Sequence, residues 1–145
     1  TAGLAGTAAA KNVEIILTGE TVKVKGVQRL LTEIVFNLCD NAIKYNKDGG
    51  TVEVSIGRQE TKAVITVKDS GIGIPPEHQT RIFERFYRVD KSRSKESGGT
   101  GLGLSIVKHA VQYLNGKIDL QSRPGEGTTI QVSFQEAIDD AVQSF

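Results

Sequence analysis

The sequence predicts an α/β sandwich of two layers, in which a mixed, mostly antiparallel sheet packs on about three helices. Three observations lead there. Strand-like and helix-like segments are interspersed along the chain rather than segregated. The later strands come in close-spaced pairs, as hairpins do, rather than as regular crossovers. Two stretches of helical length carry a broad apolar face, enough to cover one side of a sheet.

In order, Thr1 to Lys11 is rich in Ala, Gly and Thr and reads either as a linker or as the end of a helix. Val13 to Leu17 and Val22 to Lys25 read as short strands, and Gly26 to Asn46 as a long helix stopped by Asn46 and the Asp48-Gly49-Gly50 turn. Thr51 to Ile56 and Ala63 to Val67 alternate with period two across a short connection, which predicts an antiparallel hairpin. Ser70 to Gly99 is irregular, with Pro75, Pro76 and a short helical piece from Thr80 to Phe86 that Ile82, Phe83 and Phe86 anchor. Thr100 to Leu114 predicts a second long helix closed by Asn115-Gly116. Lys117 to Gln121 and Thr128 to Phe134 predict a last hairpin, and Gln135 to Phe145 an acidic tail.

Composition narrows the function. A chain of 145 residues with 24% charged and 38% hydrophobic residues is ordinary globular material. A formal net charge of +1 makes no electrostatic case for nucleic acid. No run is long enough to span a bilayer, and no signal-peptide pattern is present, which points to the cytosol. Cys39 is alone, which excludes a disulfide framework and a Cys-rich zinc site. His78 and His109 lack the spacing of a catalytic zinc site.

The first helix carries the sharpest anomaly. At 100° steps, Val27, Leu31, Ile34, Val35, Leu38, Cys39 and Ala42 share an apolar face that Phe36 and Ile43 extend. Glu33, Asn37, Asp40, Asn41 and Lys44 share a narrow arc on the other side. Asn is a poor interior helix former, because its side chain competes for backbone groups. The arc reads either as a solvated face or as a site: Asn offers a neutral oxygen to a hard cation, and Lys44 a point charge to phosphate.

Two glycine-rich loops are equally two-sided. In "VKDSGIGIP" (Val67 to Pro75), Asp69 leaves a strand ahead of Gly71 and Gly73. That is either a tight turn or a carboxylate set to accept from an adenine amine, with glycines that let the backbone approach the base. "SGGTGLGLSIVK" (Ser97 to Lys108) opens into a helix, and is either a hinge or an anion site at a helix N-terminus. Neither is a P-loop or a Rossmann fingerprint. Val89 to Gly98 has almost no apolar residue, the composition of a lid or of a solvated loop.

In order, these blocks resemble the catalytic, ATP-binding domain of bacterial sensor histidine kinases, in the superfamily of type II topoisomerase ATPases and mismatch-repair ATPases. "EIVFNLCDNAIKYN" is similar to the N box, "DSGIGIP" to the G1 box, "IFERFYRVD" to the F box and "GGTGLGLSIVK" to the G2 box. The resemblance implies a Bergerat-type fold with ATP and Mg²⁺ between the first helix and a lid at about residues 87–100. It implies that Asn37 binds the metal, that Asn41 and Lys44 lie near the phosphates, and that Tyr45 flanks the adenine whose amine Asp69 accepts. Gly71, Gly73 and Ile74 line the same pocket. Tyr87 and Arg88 reach the phosphates, Arg88 the γ-phosphate. Gly99, Thr100, Gly101, Leu102, Gly103 and Leu104 form the hinge around them. Glu33 holds the position of the general base in the superfamily's hydrolases, and with Lys44 and Arg88 makes the candidate catalytic set. Gly26 stands where the family usually has Asp as the helix cap, and is a weaker one.

No His sits in a phosphoacceptor context, since His78 lies in Pro-Glu-His-Gln and His109 within a helix. The implied organisation is a linker (1–11) from a dimerisation and histidine-phosphotransfer domain, a catalytic domain (12–135) and a tail (136–145). The implied partners are that domain of the same parent and, indirectly, a response regulator, with the parent anchored in a membrane. The competing readings are a stand-alone ATPase or serine kinase of the superfamily, and a nucleotide-sensing module without chemistry.

Overall fold

The computed structural model describes residues 13–19, 23–24, 28–87, 103–135 and 143–144. The strands are β1 (Glu14–Gly19), β2 (Lys23–Val24), β3 (Thr51–Gln59), β4 (Lys62–Asp69), β5 (Lys117–Arg123), β6 (Gly127–Gln135) and β7 (Gln143–Ser144). The helices are α1 (Gln28–Lys44), α2 (Pro76–Gln79) and α3 (Gly103–Tyr113). Five strands form one sheet in the order β1-β3-β4-β6-β5. β1 runs parallel to β3 and the other pairs are antiparallel, so the sheet is mixed as expected. β2 and β7 pair in a separate two-stranded ribbon.

Alternation decides which face is covered. Val52 and Val54 of β3, Ala63, Ile65 and Val67 of β4, and Ile130, Val132 and Phe134 of β6 are buried. With Leu31, Ile34, Leu38, Cys39, Ala42 and Ile43 of α1 and Val107, Ala110 and Val111 of α3, they make one core. Glu53, Lys68, Lys117 and Asp119 lie exposed on the opposite face. The same period of two puts Asp69, two residues beyond Val67, on the covered face at the strand's exit, where it is 8% exposed.

Several boundaries differ from the sequence reading. The short helix is Pro76–Gln79, not Thr80 to Phe86, because Pro76 at the first helical turn presets its backbone angle. From there the chain turns every three residues, with N–H to carbonyl bonds from His78 to Pro75, Arg81 to His78, Glu84 to Arg81 and Tyr87 to Glu84. Ile82 is buried, but Phe86, with φ 64°, is 63% exposed and anchors nothing. Phe36 is also largely exposed instead of extending the apolar face of α1, since it sits at the far edge of that arc. The β3–β4 hairpin runs longer than expected, to a tight turn at Glu60 with φ 57°. The acidic tail contributes strand residues at β7. Gly26 and the Val89 to Gly98 lid lie outside the described residues.

Candidate functional site

The polar arc of α1 is less exposed than the helix's outer edge. Glu33, Asn37, Asp40, Asn41 and Lys44 are all half-buried, whereas Arg29, Thr32 and Phe36 are exposed. The Asn37 amide nitrogen donates to the Glu33 carbonyl one turn back at 2.8 Å. That bond turns its oxygen outward, and a Cβ placed on Gly103 would sit 3.3 Å from it. Gly103, the first described residue of α3, therefore lies beside a neutral oxygen acceptor. Lys44 pairs with Asp40 at 3.0 Å. Glu33 faces an open groove of about 720 Å³ between α1 and α3, shared with Arg29, Arg85, Ser105 and His109.

At the other end of the stripe, Asp69 Oδ1 accepts the Gly71 N–H at 2.8 Å and the Thr128 N–H at 3.2 Å. Among the described residues, no donor reaches Oδ2. Burial pushes the carboxyl from 3.8 up to about 6, and the two N–H bonds pull against that rise. Gly71 and Gly73 have a reason that the sequence reading did not supply. A Cβ on Gly71 would meet the Tyr45 carbonyl oxygen at 2.4 Å, and one on Gly73, whose φ is 73°, would meet the Arg123 carbonyl oxygen at 2.0 Å. Both are demanded by protein backbone. The Tyr45 carbonyl also accepts the Ile72 N–H at 3.2 Å, so the end of α1 is held against this loop.

Four polar side chains that the sequence did not assign to the site fasten the loop. Asn46, wholly buried, donates to the Thr51 carbonyl at 2.9 Å and accepts the Lys47 N–H at 2.9 Å. Ser70 Oγ accepts the Thr51 N–H at 2.8 Å. Ser122 Oγ accepts the Ile74 N–H at 2.8 Å and lies 2.8 Å from Thr128 Oγ1. Gln79 donates to the carbonyls of Ile74 at 2.9 Å and Ser122 at 3.1 Å. A third Asn in the N-box stretch was a visible signal for Asn46. The bonds from Gln79 and Ile74 to Ser122, more than forty residues away in sequence, left none.

Leu104 packs against the core from α3. Tyr87 meets His78, its hydroxyl on the ring Nδ1, and Arg81 covers its ring at 4.6 Å. Tyr87 is thereby turned to α2. Arg88, Gly99, Thr100, Gly101 and Leu102 lie outside the described residues. No cluster of three or more His, Cys, Asp or Glu is gathered for a metal ion among the described residues.

Asn37 and Tyr45, the residue after the end of α1, stand eight positions apart, a rise of about 12 Å along the helix axis. A buried carboxylate, Asp69, at one end of that span and Gly103 of α3 at the other frame the polar stripe of an α/β domain. The sequence matches the family described as histidine kinase-, DNA gyrase B- and HSP90-like ATPase over residues 26–138, and the chain belongs to that family. It is 45% identical over 131 residues to the sensor-like histidine kinase SenX3 of Mycolicibacterium smegmatis, covering 88% of this chain and 34% of SenX3. The phosphate regulon sensor protein PhoR of Pseudomonas aeruginosa is 42% identical over 116 residues, 80% of this chain and 26% of PhoR. Among solved structures, the mycobacterial sensor histidine kinase MprB superposes with a TM-score of 0.79 at 29% identity, covering 93% of this chain and 91% of that one. The chain spans about a third or less of the curated relatives it matches. Within its family it is of the histidine kinase catalytic type, with ATP as the family's ligand, and these likenesses do not favour a stand-alone ATPase or serine kinase.

Proposed function

We propose that this domain binds Mg-ATP and donates the γ-phosphoryl to a histidine on a separate dimerisation domain of the same parent, for relay to a response regulator. The observation that carries the reading is the half-held Asp69 carboxylate. Its Oδ1 is committed to two backbone N–H groups, and its Oδ2 remains to accept the exocyclic amine of adenine. Guanine presents a carbonyl at that position and would oppose two acceptors in a buried site. Tyr45 flanks the base, and Gly71, Gly73 and Ile74 shape the loop beside it.

The donor chemistry suits a magnesium ion carried in by the phosphates. Mg²⁺ keeps several waters and takes few protein ligands, and Asn37 supplies one neutral hard oxygen without an acidic cage around it. Bound there, the ion would neutralise charge developing on the transferred group. Asn41, Lys44 and the N–H groups at the start of α3, from Gly103 and Leu104, would orient the phosphates. Tyr87, Arg88, Gly99, Thr100, Gly101 and Leu102 join them by resemblance. Glu33, at the groove between α1 and α3, would polarise the incoming imidazole. The proposed organisation is a linker at 1–11, the catalytic domain at 12–135 with its lid at about 87–100, and a tail at 136–145. The proposed location is the cytoplasmic side of a membrane-anchored parent. No helix among the described residues is long and apolar enough to cross a membrane.

The test is γ-labelled ATP with this chain alone and with a His-bearing dimerisation domain in trans. Acid-labile label should appear on the added domain only. His78 is engaged by the Tyr87 hydroxyl, and His109 is carried on α3, so neither should come within the about 3–3.5 Å that in-line attack needs. Acid-labile label on this chain alone, lost on changing His78 or His109, would overturn the reading.

A further inference from the structure

The G1 loop is fastened at both ends, and the fastening at its far end lies outside the machinery described above. Gln79, the last residue of α2, bridges two segments with one amide nitrogen. It donates to the Ile74 carbonyl at 2.9 Å and to the Ser122 carbonyl at 3.1 Å. Ser122 returns the link, because its hydroxyl accepts the Ile74 N–H at 2.8 Å. The same hydroxyl lies 2.8 Å from Thr128 Oγ1 and 3.1 Å from the Gly127 carbonyl oxygen. Thr128 N–H is one of the two donors on Asp69 Oδ1, and Gly71 N–H, three residues before Ile74, is the other.

A chain of hydrogen bonds thus runs from Gln79 through Ile74 and Ser122 to Thr128, one of the two residues that hold the Asp69 carboxylate, while Gly71, the other, lies three residues back from Ile74 along the same loop. We infer that Gln79 is a positioning residue for base selection, acting through Ile74, Ser122 and Thr128 on the orientation of Asp69. Nothing else about Gln79 explains its bonds. It is half-exposed, contributes nothing to the apolar core and carries no charge. The length of the side chain matters, since a shorter amide at the end of α2 would not span both carbonyls. The inference rests on the proposed adenine-binding role of Asp69.

The experiment compares ATP and ITP affinity by calorimetry for the wild-type chain, Gln79→Ala and Gln79→Glu. ITP carries a carbonyl where ATP carries the exocyclic amine. Wild type should prefer ATP. Both variants should lower the ATP-to-ITP preference roughly fivefold, the worth of about one ordinary hydrogen bond, with ITP affinity nearly unchanged. Gln79→Glu keeps the side chain's size and removes the donor, so agreement of the two variants assigns the effect to the donor. Parallel losses for both nucleotides, or a lowered melting temperature with the preference intact, would make Gln79 a structural strut and overturn the inference. A wild-type chain without preference for ATP over ITP would instead overturn the role of Asp69 itself, so the two failures are distinguishable.

Discussion

Asp69→Asn should make the nucleotide-free domain more stable while weakening its binding of ATP. The native environment holds the Asp69 carboxyl at about 6, against 3.8 for the unperturbed group. The folded protein therefore binds that proton more tightly than the unfolded chain does. Stability contributed by the protonated acid is fully present below about pH 3.8 and is lost as pH rises through about 6. At neutral pH the buried, ionised carboxylate costs about 3 kcal/mol, because each tenfold gain in proton affinity on folding is worth about 1.36 kcal/mol. Asn has the same shape, keeps an oxygen for the Gly71 and Thr128 N–H groups and carries no charge to desolvate. Its amide nitrogen then faces the position of the adenine amine, donor against donor. ATP affinity should fall roughly 10- to 100-fold, while ITP, which offers an acceptor, should gain relative to ATP. Urea unfolding of both proteins between pH 7.5 and 5, with calorimetry for the two nucleotides, makes the measurement. The variant's advantage should shrink to roughly half between those limits. A variant that is less stable than wild type at pH 7.5, or an advantage independent of pH, would refute the reasoning.

Asn37→Ala should weaken Mg-ATP binding far more than binding of metal-free ATP, and equal losses by calorimetry with and without Mg²⁺ would remove Asn37 as a ligand. Gly73→Ala should destabilise the fold by about 2–4 kcal/mol, read from urea midpoints, because its Cβ would lie 2.0 Å from the Arg123 carbonyl at a φ of 73°. Asn46→Ala should cost about 1–3 kcal/mol by leaving the Lys47 N–H without its side-chain acceptor and the Thr51 carbonyl without that donor; a midpoint unchanged from wild type would contradict the network. Cys39, wholly buried and with its thiol pushed up to about 11 by burial, should resist alkylation in native protein and react once urea unfolds it.

Much of the fold was legible because it is written in short periods. Period two marked β3 and β4 and carried Asp69 to the covered face, and the Pro124-Gly125-Glu126-Gly127 turn marked the β5–β6 hairpin. The 3.6-residue period marked α1 and α3 and separated the arc of Asn37, Asn41 and Lys44 from the apolar face. Local turn chemistry marked Asn115-Gly116, where Asn115 has φ 58° and the Gly116 N–H bonds back to Val111 at 2.8 Å. The order of the glycine loops and the Asn-rich helix was enough to point to the family. Tertiary structure alone decided what holds these parts in place. Asp69 meets Thr128 across 59 positions of chain, and Gln79 meets Ser122 across 43. Those encounters depend on the register of β4 with β6 and on where α2 comes to rest, and no local period encodes either. The reason for Gly71 and Gly73 lay in carbonyl oxygens of Tyr45 and Arg123, contributed by other segments. Phe36 and Phe86 read as apolar anchors in sequence, yet stand exposed because a side chain is buried only where a second surface comes to meet it.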